Sequence, residues 1–175
     1  REGPAAVAHA ADAIDAMRRI AGSGARFLSR GDSSGTHERE DELWRLAGTR
    51  PGPERLVVAG AGMGTTLRIA SETDAYTLTD RATFAQQAAV LRLVLLHEGD
   101  PKLLNTYAVI VGPDAARAAD AQTFATWLAE GNGRNLIATY RVSGRVHRKS
   151  GMGLETGHGR AAVVQNDQGD VGLMM

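Results

Sequence analysis

Short apolar runs of strand character alternate with longer helical stretches through most of the chain, and that alternation restricts it to a layered α/β arrangement. Ala5 to Ala21 carries Val7, Ile14, Met17 and Ile20 among alanines, the pattern of an amphipathic helix, which Gly22-Ser23-Gly24 ends. Arg26 to Ser29 reads as a short strand, Glu38 to Leu46 as a helix closed by Gly48, and Arg55 to Ala59 as a buried strand after the turn around Pro51 to Pro53. A glycine turn then leads into a helix over Met63 to Ser71. Tyr76 to Leu78 is extended, and Asp80 or Thr79 caps a helix running through Ala89. Leu91 to Leu96 is a strand or a helix end, two readings its apolar run does not separate. Asn105 to Val111 predicts a strand, and Ala115 to Glu130 a helix that turns Phe124, Trp127 and Leu128 inward and stops at Gly131 and Gly133.

Composition narrows the function classes. With 175 residues the chain has room for one or two compact units with a real core. Its 20 basic and 20 acidic residues cancel, so there is no electrostatic footprint for nucleic acid or an acidic membrane surface. No apolar run approaches the roughly 20 residues that span a bilayer, and none opens the chain as a signal segment. Absence of cysteine suits an exported protein without disulfides as well as a cytosolic one.

The stretch Ser29-Arg30-Gly31-Asp32-Ser33-Ser34-Gly35-Thr36-His37 gathers one fixed cation, hydroxyls and two glycines just ahead of a helix. The first-turn N–H groups of a helix have no partners within it, and its dipole presents a positive end there. Arg30, Ser34, Gly35 and Thr36 are therefore the candidate oxyanion-binding residues, with a bidentate guanidinium, two hydroxyls and backbone amides as the donor set. A simple N-cap needs Ser34 or Thr36 but not an arginine beside them. Asp32 would repel a dianion, so its expected work is to hold Arg30 or backbone donors in place. Asp80 and Arg81, in Thr79-Asp80-Arg81-Ala82-Thr83, form a helix cap and an ion pair that orient the seat from behind.

Other chemistry is poorly provided for. Gly60-Ala61-Gly62-Met63-Gly64 follows a strand like a dinucleotide loop, yet Thr65 stands where either a third glycine or a Walker lysine would be required. These glycines instead let a backbone turn pass close to the cleft. His37-Glu38 is not followed by a second histidine at metal-ligand spacing, and Ser34 lacks a nucleophile elbow. Neither a metal, a cofactor nor a catalytic residue is expected.

Three segments in order, SRGDSSGTHEREDELWRLAG (29 to 48), GAGMGTTLRIASETDAYTLTDRATF (60 to 84) and LLHEGDPKLLNTYAVI (95 to 110), resemble the tungstate-binding proteins of bacterial ABC importers. The resemblance covers roughly residues 10 to 142 and matches the second half of such a protein, making the chain a fragment, a processed piece or a divergent short form. It implies a doubly wound, three-layer αβα lobe of the type II periplasmic-binding-protein class, part of an incomplete two-lobe protein. It also implies binding of tungstate or molybdate, delivery to an ABC permease, no bond breaking, and a periplasmic location with the signal removed before Arg1. In the family, an N-terminal Thr/Ser-rich turn supplies the other side of the anion site. Residues 1–143 form this anion-binding region. Residues 144–175 carry seven glycines and the basic cluster Arg145, His147, Arg148 and Lys149, and read as an arm for self-association or a weakly specified terminus. The alternatives are a nucleotide-binding enzyme using Gly60 to Gly64, and a ligand-free structural or regulatory fragment of the same fold.

Overall fold

The structure, a computed structural model, describes residues 3–105, 107–112, 117–142, 145–146, 161–164 and 171–175. In chain order the elements are α1 (Ala13–Gly22), β1 (Phe27–Ser29), α2 (Gly35–Ala47), β2 (Leu56–Val58), α3 (Met63–Thr73), β3 (Thr77–Asp80), α4 (Arg81–Gln87), β4 (Leu95–His97), β5 (Tyr107–Ile110), α5 (Ala118–Ala129), α6 (Asn132–Thr139), β6 (Arg141–Val142), β7 (Arg145–Val146), β8 (Ala161–Val164) and β9 (Val171–Met174). Two compact units result. One comprises residues 1–105 with 170–175, the other residues 106–169, so the stretch 144–175 is divided between them.

In the first unit β1 pairs in parallel with β2, and β9 lies antiparallel between β3 and β4. A parallel bridge from Phe27 to Tyr76, with Leu28 N–H donating to the Tyr76 carbonyl at 2.7 Å, joins the two groups in the order β2-β1-β3-β9-β4. Side chains alternate across this sheet as the pleat requires. Phe27, Tyr76 and Leu78 face α1 and α2, packing on Met17, Ile20, Leu43 and Trp44. Leu28 faces the other way, onto Met63, Leu67 and Ala70 of α3. Helices thus cover both faces, giving three layers. Phe27 and Trp44 meet edge to face with centroids 5.0 Å apart, a geometry worth about 0.5–1.5 kcal/mol beyond burial.

Several elements depart from their sequence patterns. The Ala5 to Ala21 helix is broken into a 3₁₀ turn at Val7–His9 and α1, because Asp12 Oδ1 accepts from Asp15 N–H at 2.7 Å and starts the helix anew. β2 forms but is an edge strand, and Val57 and Val58 stay 44% and 60% exposed, not buried. Residues 91–94 are neither strand nor helix, although Val94 exchanges backbone hydrogen bonds with Met175 just ahead of the strand Leu95–His97.

The second unit holds the antiparallel pair β5 and β8, the short pair β6 and β7, and α5 and α6. α5 buries Ala125 and Ala129, with Ala121 packed alongside, so its inner face is rotated by one residue from the expected one. Phe124 and Trp127 are exposed and stack on each other. Gly131 ends α5 but caps α6, which contains Gly133. Of the Gly-rich stretch, residues 171–175 are paired inside the first unit's sheet, while residues 147–160 and 165–170 lie outside the described residues.

Candidate functional site

β1, β2 and β3 run parallel, so their carboxyl ends lie along one edge of the sheet, where α2, α3 and α4 begin. From β1 the chain moves outward to β2, and after α3 it returns past β1 to β3. The strand order reverses between β1 and β3, and the carboxyl edge at such a switch point is where α/β sheets bind ligands. The Ser29 to His37 loop leaves from that position. Ala59 N–H donates to the Ser29 carbonyl at 2.9 Å and Gly60 N–H to the Arg30 carbonyl at 3.1 Å, which draws the second glycine segment against the loop. Gly31, at φ 65°, presses on the Val58 side chain, leaving no room for a Cβ.

Asp32 organises the loop. Its Oδ2 lies 2.7 Å from Arg30 Nε, and its Oδ1 accepts from Ser34 N–H at 3.1 Å. Arg30 Nε is buried without an aligned acceptor, so this approach is an ion contact and not a well-directed hydrogen bond. Burial pushes the Asp32 carboxyl up, but the Ser34 hydroxyl and amide and the Arg30 guanidinium outweigh it and hold the carboxyl below its usual range. The Ser34 hydroxyl donates to Asp32 and, as the N-cap of α2, accepts from His37 N–H at 3.4 Å. Ser33 bends through the left-handed region, φ 56°, and its N–H donates to His37 Nδ1 at 3.0 Å. The amides of Gly35 and Thr36, at the positive end of α2, find no acceptor among the described residues. Thr36 itself is buried.

Beneath the loop sits Glu40, 1% exposed. Its carboxylate accepts from the Ser29 hydroxyl and the Arg30 amide, while Oε1 has no partner. Burial raises this carboxyl against the lowering effect of those donors and of His37. His37, Glu40 and Asp41 bring ligand-type atoms within 4.8 Å of one another. With Nδ1 accepting from Ser33, the imidazole proton belongs on Nε2, which faces Asp41 Oδ2 at 3.6 Å. The trio reads as a brace for the loop, not as an open cation site.

Asp80 and Arg81 stand at the β3–α4 junction. Asp80 caps α4 through Thr83, with its N–H and hydroxyl both donating at 2.8 Å, and Arg81 Nη2 lies 2.7 Å from Glu98 Oε2. None of these partners belongs to the α2 loop. A residue that sequence reasoning did not single out does approach it. A Cβ on Gly35 would meet Asn105 Oδ1 at 2.7 Å and Nδ2 at 3.0 Å, so the Asn105 carboxamide lies over the first turn of α2. Its position is secured from behind. Asp100 Oδ2 accepts from Ala13 N–H at 2.7 Å, its Oδ1 from Lys102 N–H at 2.8 Å, and Leu103 is fully buried. The third segment quoted above contains Asn105, but only the tertiary fold brings it to Gly35.

A mixed sheet with helices on both faces, and an arginine-bearing loop opening a helix at its switch point, define an α/β lobe of the layered, doubly covered kind. The sequence profile of the PBP superfamily domain matches residues 2–132, and the chain belongs to that family. It is similar to the tungstate-binding protein TupA of Peptoclostridium acidaminophilum, with 39% identity over 133 residues, 74% of this chain and 46% of that protein. TupA of Campylobacter jejuni is 34% identical over 125 residues, 66% of this chain and 46% of its own length. Among solved structures, the tungstate-binding protein TupA from Desulfovibrio alaskensis superposes with a TM-score of 0.69 at 34% identity, covering 82% of this chain and 61% of that one. The chain spans about half the length of the curated relatives it matches. Among the described residues, no helix is long and apolar enough to cross a membrane.

Proposed function

We propose that this chain is the anion-holding lobe of a solute-binding protein, which captures a tetrahedral oxyanion, tungstate or molybdate, and presents it to an ABC permease at the outer face of the cell membrane. The reading is carried by one juxtaposition: the Arg30 guanidinium and the unaccepted Gly35 and Thr36 amides share a loop at the sheet's switch point. The names of the similar TupA proteins support the choice of ligand. Binding alone is required of these residues, and no nucleophile or general base is assigned.

The donor set also favours some anions over others. Phosphate near neutral pH carries a proton that needs an acceptor, and the carboxylate nearest the loop, Asp32, is engaged by Arg30 and Ser34. Tungstate, molybdate and sulfate carry none, so donors alone serve them.

Isothermal titration with tungstate, molybdate, sulfate and phosphate tests the reading. Arg30→Ala is expected to weaken tungstate binding by about 2–4 kcal/mol, the loss of a charge-assisted bidentate contact, and Arg30→Lys to restore only part of it. Unchanged affinity in Arg30→Ala removes Arg30 from the site.

A further inference from the structure

Gly35 opens α2 with a backbone that does not require glycine, since it is absent from the residues of positive φ. Glycine at such a position gives up helix stability. What it provides is room, because the space a Cβ would fill is taken by the Asn105 carboxamide. That carboxamide is only half-buried, and it makes no hydrogen bond to any described residue. A carboxamide placed there, with no partner among the described residues, is available to a ligand. The nearest unaccepted groups are also donors, the Gly35 and Thr36 amides. The carboxamide adds its Nδ2 donors beside them, and a cluster of donors that the described residues leave without acceptors suits an anion.

We propose that Asn105 is a ligand-contacting residue, whose carboxamide donates through Nδ2 to the same oxyanion that Arg30 and the first turn of α2 hold. The inference rests on the anion-binding reading given above and adds to it a donor from a distant part of the sequence. Gly35 and Asn105 then form a matched pair: the glycine admits the carboxamide, and the carboxamide adds a donor beside the first turn of α2. The Asp100 carboxylate, which accepts from the first amide of α1, and the buried Leu103 side chain hold the segment that carries Asn105 before ligand arrives.

The test is isothermal titration of the 175-residue chain with sodium tungstate, alongside thermal melting without it. Asn105→Ala removes one hydrogen bond to a charged group and is expected to weaken binding about tenfold to a hundredfold, with the unliganded melting temperature unchanged. Asn105→Asp keeps the shape but sets a carboxylate against a dianion, and its loss is expected to exceed that of Asn105→Ala. Gly35→Ala leaves Asn105 in the chain but crowds it, and combining it with Asn105→Ala is expected to cost little more than either alone. Tungstate affinity unchanged in Asn105→Asp, while Arg30→Ala loses it, overturns the role of Asn105 and leaves the anion site standing. Affinity unchanged in Arg30→Ala as well overturns the site itself, and the inference with it.

Discussion

Glu40 places a carboxylate under the backbone that carries Arg30, a position in which charge is costly. Burial raises its protonation point above the ordinary glutamate value, so the folded protein holds a proton that the unfolded chain has released. Stability therefore falls as pH rises from the unfolded value through the folded one, and is fullest below both. Glu40→Gln keeps an acceptor for the Ser29 hydroxyl and the Arg30 amide but has no charge to bury. Chemical denaturation at several pH values is expected to show the wild-type decline above the glutamate range flattened in Glu40→Gln; equal slopes would disprove the assignment. The loop around Glu40 was legible in the sequence because its devices are local: a capping serine, an Asx-type aspartate and a helix start. Asn105 was not. Its relation to Gly35 exists only after β4 and the turn at Asp100 are in place, and no spacing rule reports it.

At the level of elements, Asp100 serves two starts at once, accepting from Ala13 N–H at the head of α1 and from Lys102 N–H in the 3₁₀ turn Pro101–Leu103. Lys102 closes the group by reaching Asp12 Oδ2 at 3.3 Å. Asp100→Ala strips a cap from both, and about 1–3 kcal/mol of stability is expected to go with it, read as a lower denaturation midpoint. Asp100→Asn is expected to retain most of that. Helices α2 and α3 were readable because hydrophobic period and end signals agree: Ser34 and Gly48 bound the first, Gly62 opens the second. α5 misled because large side chains suggested the inner face, whereas close packing selects the small residues Ala125 and Ala129 and leaves Phe124 and Trp127 outside. β2 has the apolar content of a buried strand, and only the sheet order reveals it as an edge.

For the molecule as a whole, the span of about half its relatives bears on affinity. The resembled family encloses its anion between two lobes. Two or three further donors from a facing lobe would contribute about 3–9 kcal/mol, and a site open to water raises the local dielectric around its contacts. Tungstate binding by the 175-residue chain alone is accordingly expected at about micromolar to millimolar. Titration of a preparation shown monomeric by light scattering decides this, since nanomolar binding would mean that the lobe holds a complete site.

β9 fills the middle of the first unit's sheet, yet it is drawn from the far end of the sequence and pairs with β3 about ninety positions away. The sheet is consequently slow to close, because residues 77–80 and 95–97 have no common neighbour until the chain returns from that distance. Until it does, β3 and β4 each present an open ladder at the centre of the unit. Any extended segment of matching pattern competes for that gap, including the same strand of a second molecule. Refolding yield should then fall as protein concentration rises, and a synthetic peptide of residues 170–175 added in excess should restore part of it.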